Sequence, residues 1–254
     1  YATVHAEGAR RAMRACADAG LGGWVGQVLM DQRAPAELCR PAGDLLREAE
    51  SHFAVGRIRP SLTPRFAVSC SRALLEGVGE LAERRAGLIQ THLSETRDEC
   101  ELVKRLHGVE RYLDAYARAG LLQRPSLFAH AIHLEPAEIA SIARVGAGIA
   151  HCPTANLFLQ AGTLARGALD AAGVRVALGS DVAGGPDISM PRVARAMLEA
   201  VKIRALSAGA PSNSLPAAAS AWHQITAGNA AILDLRHTGR LEAGMDADLL
   251  VVRP

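Results

Sequence analysis

Short apolar runs alternate with amphipathic segments along almost the whole chain. The runs are YATVH (Tyr1 to His5), WVGQVLM (Trp24 to Met30), Ile58 to Thr63, LIQTH (Leu88 to His92), SLFAH (Ser126 to His130), AGIAH (Ala147 to His151) and VRVALGSD (Val174 to Asp181). Their length and composition predict strands. Between them, apolar residues spaced by three and four predict helices over about 6–19, 43–55, 71–86, 97–106, 109–119, 136–145, 163–172, 189–206 and 215–233. Gly20 and Gly87 stand where two of these stop, and Pro136 where a first helical turn tolerates proline.

Strands joined by helical crossovers of this length form parallel sheets. The chain holds seven such βα units, one short of the eight that close a barrel. The expected fold is therefore α/β, a (β/α)8 TIM-type barrel lacking its first strand. Its domain is residues 1–235. The closing GRLEAGMDADLLVVRP changes to a turn-plus-strand pattern, which assigns residues 236–254 to a small separate β-structure. The opening Tyr1 reads as the middle of a strand, so a preceding segment is expected.

Composition narrows the function. A net charge of +2 gives no basic surface for nucleic acid or membrane. No apolar run approaches the roughly 18 residues of a span, and no signal peptide opens the chain. The five cysteines are scattered without a C-x-x-C pair, which points to reduced thiols and a cytoplasmic location.

Three apolar runs end on residues able to bind a metal: His92, His130 and Asp181. Ends of parallel barrel strands are where chemistry is done. Two imidazoles and one carboxylate suit a divalent ion of the zinc kind, with a position left for water. Glu95, three residues after His92, is placed to pass protons beside that water. The plainer alternative is a set of buried polar groups bonded across a barrel mouth. In TPRF, Arg65 can grip a carbonyl or carboxylate and Phe66 can stack on a planar ring. His151, in HCPTAN, could touch substrate or orient a ligand; His5 and His133 read as structural. HAE at His5 to Glu7 matches half of the cytidine-deaminase zinc signature, but its P-C-x-x-C partner is absent. No G-x-S-x-G supports a serine nucleophile.

Taken together, THLSETRDE, FAHAIHL, IAHCPTANLFL, LGSDVAGG and GRLEAGMDADLLVV resemble the metal-dependent amidohydrolase superfamily. TPRF and VLMD with its acidic helix make the guanine deaminase family the branch resembled. The resemblance runs over essentially the whole chain. It implies a barrel with a small β-sandwich built from both chain ends, of which residues 236–254 would be a remnant. It implies His92, His130 and Asp181 as metal ligands, Glu95 as proton shuttle with Asp181 as base, and Arg65 and Phe66 as the purine-reading pair. The implied reaction is hydrolysis of guanine to xanthine and ammonia by a homodimer. The implied cofactor is one divalent ion, Zn2+ or Fe2+. A bridging carboxylated lysine is not expected, because Lys104 and Lys202, the sole lysines, lie off the strands. The family's further ligands come from a His-x-His on its first barrel strand, and this chain has no His-x-His. Ala131 replaces a frequent glycine and Ser180 a frequent threonine. The alternatives are an aminohydrolase or chlorohydrolase acting on another heterocycle, or an inactive barrel fragment.

Overall fold

The computed structural model describes residues 1–123, 125–209 and 215–251. They fall into two compact units, Tyr1–Ala147 and Gly148–Pro254. The boundary thus lies within the stretch 1–235 expected to form the barrel domain.

The first unit begins with a loop rather than a strand. Ala2 N–H and Val28 N–H bond Gly26 O and Thr3 O at 2.9 Å each, too few rungs to make Tyr1 to His5 a strand. Helix α1 (Ala6–Asp18) follows, then β1 (Gly23–Val25) and β2 (Val28–Leu29). The single strand expected over Trp24 to Met30 is broken at Gly26, where a Cβ would stand 2.6 Å from Ser61 O and closer still to Thr63 Oγ1. Only glycine lets the backbones approach this far. β1 and β2 pair in parallel with β3 (Ile58–Pro60) and β4 (Thr63–Pro64), which follow α2 (Ala42–Glu50). That helix ends five residues earlier than its apolar spacing suggested. A bridge from Leu62 to Ile89 continues the parallel order to β5 (Ile89–Leu93), which pairs in register with β6 (Ser126–His130).

The crossovers are α3 (Arg72–Arg85), α4 (Arg97–His107), α5 (Tyr112–Arg118) and, after β6, α6 (Pro136–Val145). Their ends obey local chemistry. Ser71 Oγ caps α3 by accepting Leu74 N–H at 3.1 Å, and Asp31 holds Ser71 N–H at 2.7 Å. Thr96 and Glu99 form a capping box on α4, which Gly108 closes in the left-handed conformation. Tyr112, Tyr116, Phe128, Leu74, Ile89 and Leu93 are buried completely between helices and sheet. Each such side chain contributes roughly 1.5–3 kcal/mol by leaving water.

In the second unit β7 (Gly148–His151) pairs in parallel with β8 (Arg175–Leu178). HCPTAN, read from sequence as a strand end, turns directly into α7 (Pro153–Phe158). α8 (Arg166–Ala171) is shorter than expected, and α9 (Met190–Ser207) matches its prediction within a residue. The one helix expected over 215–233 is three pieces: α10 (Ala218–His223), a π-helical turn Gln224–Gly228, and α11 (Asn229–Ile232). Leu178, Val193, Ala194, Met197 and Ala221 form the core of this unit. Residues 236–251 make turns and no strand, and 252–254 lie outside the described residues.

Candidate active site

The first unit brings together five of the expected residues. His92 is the fourth residue of β5, His130 the last of β6, and Arg65 and Phe66 directly follow β4. The rings of His92 and His130 stack with centroids 5.1 Å apart and a 27° interplanar angle. Glu95 lies two residues beyond β5, with its Oε2 3.7 Å from His130 Nε2. The Arg65 guanidinium sits 4.8 Å over the Phe66 ring, and that ring is 6.1 Å from His92.

The backbone fixes the imidazole. His92 Nδ1 is 2.7 Å from the carbonyl oxygen of Arg65, which can only accept, so Nδ1 carries the hydrogen and Nε2 the lone pair. Burial holds the His92 pKa down at about 4, partly offset by that bond and reinforced by the charge of Arg65. The ring is therefore neutral near pH 7. His130 is buried, and both it (φ 69°) and Ala131 (φ 56°) are left-handed, although neither is glycine. This conformation explains why a glycine would be at ease at position 131. Each residue costs on the order of 1–2 kcal/mol there, which Ala131 N–H offsets by bonding Leu93 O at 2.8 Å.

Sequence reasoning missed three contributors in this unit. The Tyr1 hydroxyl is 3.0 Å from His92 Nδ1 and its ring centroid 4.9 Å from that of His92. The hydroxyls of Tyr112 and Tyr116 accept from Ala67 N–H, and that of Tyr116 also donates to the His92 carbonyl. The available signal was a pair of tyrosines four apart, on one helical face, in a chain with only 4% aromatic residues.

Asp181 and His151 belong to the second unit. Asp181 lies three residues past β8 in a left-handed turn (φ 48°), closed by Gly185 N–H on its carbonyl at 2.6 Å. Gly185 itself sits against α7, where a Cβ would come 2.9 Å from Ala155 N. Burial raises the Asp181 pKa from its ordinary value. Just before this turn, Asn229 accepts Leu178 N–H and donates to Leu178 O, both at 2.9 Å. His151 ends β7 with both ring nitrogens buried and lacking hydrogen-bond partners, and burial drives its pKa down to about 3.

Among the described residues, no group of three or more His, Cys, Asp or Glu side chains is placed to hold a metal ion. The donor chemistry on β5 and β6 nonetheless fits a borderline divalent cation. His92 is neutral, and its second nitrogen is tied to a carbonyl, as ligating histidines generally are. Lys104 lies on α4 and Lys202 on α9.

The sequence profile of the amidohydrolase family matches residues 1–254. The chain belongs to the amidohydrolase family. A TIM-barrel fold follows for its parallel α/β alternation. Guanine deaminase of Dictyostelium discoideum is 31% identical over 263 residues, taking in 100% of this chain and 58% of that protein. Guanine deaminase from C. acetobutylicum, solved with bound guanine in the active site, superposes with a TM-score of 0.90 at 31% identity. That match covers 96% of this amidohydrolase chain and 59% of the other. An adenosine deaminase from Xanthomonas campestris with bound zinc gives a TM-score of 0.78 at 26% identity, over 94% and 54% of the two chains. This amidohydrolase chain therefore spans a little over half the length of the relatives it matches.

Proposed function

We propose that this chain carries chemical machinery of a guanine deaminase, converting guanine and water to xanthine and ammonia. The observation that supports this best is the Arg65 fork over Phe66 beside the stacked His92 and His130. A flat purine lies on Phe66, and its ring carbonyl accepts from Arg65. A base without that carbonyl leaves the guanidinium unpaired, which is how guanine is selected over adenine.

His92 and His130 hold the ion, with Asp181 assigned as a further ligand from its motif. A divalent cation, Zn2+ or Fe2+, supplies acidification of water when bound. Asp181 accepts the proton that the attacking water gives up. Glu95 delivers its proton to the ring nitrogen beside the amine-bearing carbon, recovers one from the newly added hydroxyl and passes that one to the departing amine. The proton held by Asp181 then restores Glu95. The carbon–nitrogen bond breaks as the new carbonyl forms, and ammonia leaves. His151 contacts substrate or orients a neighbouring group.

Three further assignments belong to the same proposal. The enzyme is a homodimer, a reading at the level of the family that size-exclusion chromatography tests directly. All five cysteines are free thiols, which supports a cytoplasmic location. No helix among the described residues is long and apolar enough to cross a membrane. Residues 236–254 are assigned to a small β-sandwich on their turn-plus-strand pattern.

The deciding experiment is ammonia release by the full-length, metal-loaded protein over guanine, adenine, cytosine and a chlorinated triazine. Guanine turned over fastest supports the proposal. Another heterocycle preferred by more than about tenfold refutes it.

A further inference from the structure

Beneath TPRF lies a network of buried hydrogen bonds with no part in the chemistry above. The peptide of Ala67, next to Phe66, is held from both directions. Its N–H bonds the hydroxyls of Tyr116 at 3.1 Å and Tyr112 at 3.3 Å. Its carbonyl accepts from His107 Nε2 at 2.7 Å. The Tyr116 hydroxyl also donates to the backbone carbonyl of His92 at 2.6 Å. Thr91 Oγ1 lies 3.1 Å from the Tyr116 oxygen and 3.3 Å from Arg65 O.

One phenol oxygen thus ties the peptide after the purine-reading pair to the peptide of the β5 histidine. The phenol cannot drift, because its ring is wholly buried and stacks on Phe128 with centroids 5.8 Å apart at 9°. Tyr112 packs against it at 5.5 Å from the same helix face. An apolar ring at 116 would fill the same space but take one partner from the buried Ala67 N–H and one from the His92 carbonyl.

We propose that Tyr116, backed by Tyr112 and His107, is a positioning residue that sets Arg65 and Phe66 in register with His92. The proposal deepens the purine-deaminase reading and rests on it for the identity of the substrate. A displacement of about 1 Å in groups that align substrate is enough to cost a large factor in kcat/KM.

Two measurements on the full-length, metal-loaded protein test this. The first is amide hydrogen exchange over residues 65–70, which requires no activity. Tyr116→Phe, and more so Tyr112→Phe with Tyr116→Phe, should exchange about tenfold faster there, because the Ala67 N–H loses its acceptors. The second is guanine kinetics. Tyr116→Phe should raise KM about tenfold while kcat stays within about threefold. His107→Leu should do the same, and His107→Gln, which keeps a donor, should restore most of the loss.

Unchanged exchange in the double variant overturns the proposal. So does faster exchange with an unchanged KM, which would make the tyrosines structural only. Wild-type protein that releases no ammonia from guanine refutes the deaminase reading instead, and unchanged exchange in the double variant still overturns the positioning role.

Discussion

Arg65 has two jobs carried by different atoms, and Arg65→Ala separates them. Its guanidinium, over Phe66, is the proposed reader of the purine carbonyl. Its backbone carbonyl accepts from His92 Nδ1 at 2.7 Å and from His92 N–H at 3.2 Å, bonds that an alanine would keep. The substitution should therefore remove substrate reading and leave the β5 imidazole in place. The magnitude follows from the bond lost. A hydrogen bond to a charged group contributes about 1.5–3 kcal/mol net, and each 1.4 kcal/mol or so is a factor of ten. The guanine kcat/KM should fall by roughly 10- to 150-fold, mostly through KM. The stacking of the guanidinium on Phe66 adds little, since at an exposed arginine such contacts are worth about 0.5–1 kcal/mol. Arg65→Lys should recover only a small part, because an ammonium keeps the charge and loses the planar fork. The assay is ammonia release across guanine concentrations, with bound metal measured on the same samples by plasma mass spectrometry. An unchanged kcat/KM removes the side chain from the site. A parallel loss of metal would show that side chain and backbone are not separable, and the reasoning fails.

Three further outcomes are expected. The pKa values of His92 (about 4) and His151 (about 3) lie below the ordinary histidine value near 6.5, so the unfolded metal-free chain binds more protons than the folded one across that interval. Stability of the metal-free protein should then be full above about pH 6.5 and decline as pH falls towards 4; urea melts showing no loss across that window would contradict the burial argument. Asn229→Ala strands both polar groups of Leu178 at a cost of roughly 1–3 kcal/mol, or about 2–12 °C in Tm, which thermal unfolding monitored by circular dichroism will show. Gly26→Ala drives a methyl against Ser61 O and Thr63 and should cost at least about 1–3 kcal/mol, checked by the urea midpoint.

The sequence displayed the residues at strand ends plainly, because an apolar run that stops on histidine or follows with arginine is a one-dimensional pattern. His92, His130 and Arg65 were visible for that reason, and β5, β6, β7 and α9 lie within about a residue of expectation. What stayed hidden depends on contacts between distant segments. Gly26 breaks a strand because of Ser61 and Thr63, more than thirty residues away. Tyr116 looks like ordinary core until its hydroxyl is seen under Ala67 and His92. Asn229 sits in a stretch whose apolar spacing reads as a plain helix, while its amide serves a strand 51 positions earlier. Residues 236–251 form turns rather than a strand in this structure, since alternation marks only a capacity to pair.

The Asn229 amide has a consequence at the rim of β8. In a parallel ladder the N–H and C=O of one residue face the same side, and Gly179 N–H already turns towards β7 through His151 O at 2.9 Å. Leu178 therefore faces the opposite side, where a side-chain amide occupies both of its polar groups. Any extended peptide zipping along that rim would have to halt one rung before the turn that carries Asp181. A borrowed amide thus closes the β8 ladder at this rung, just short of the turn that carries Asp181.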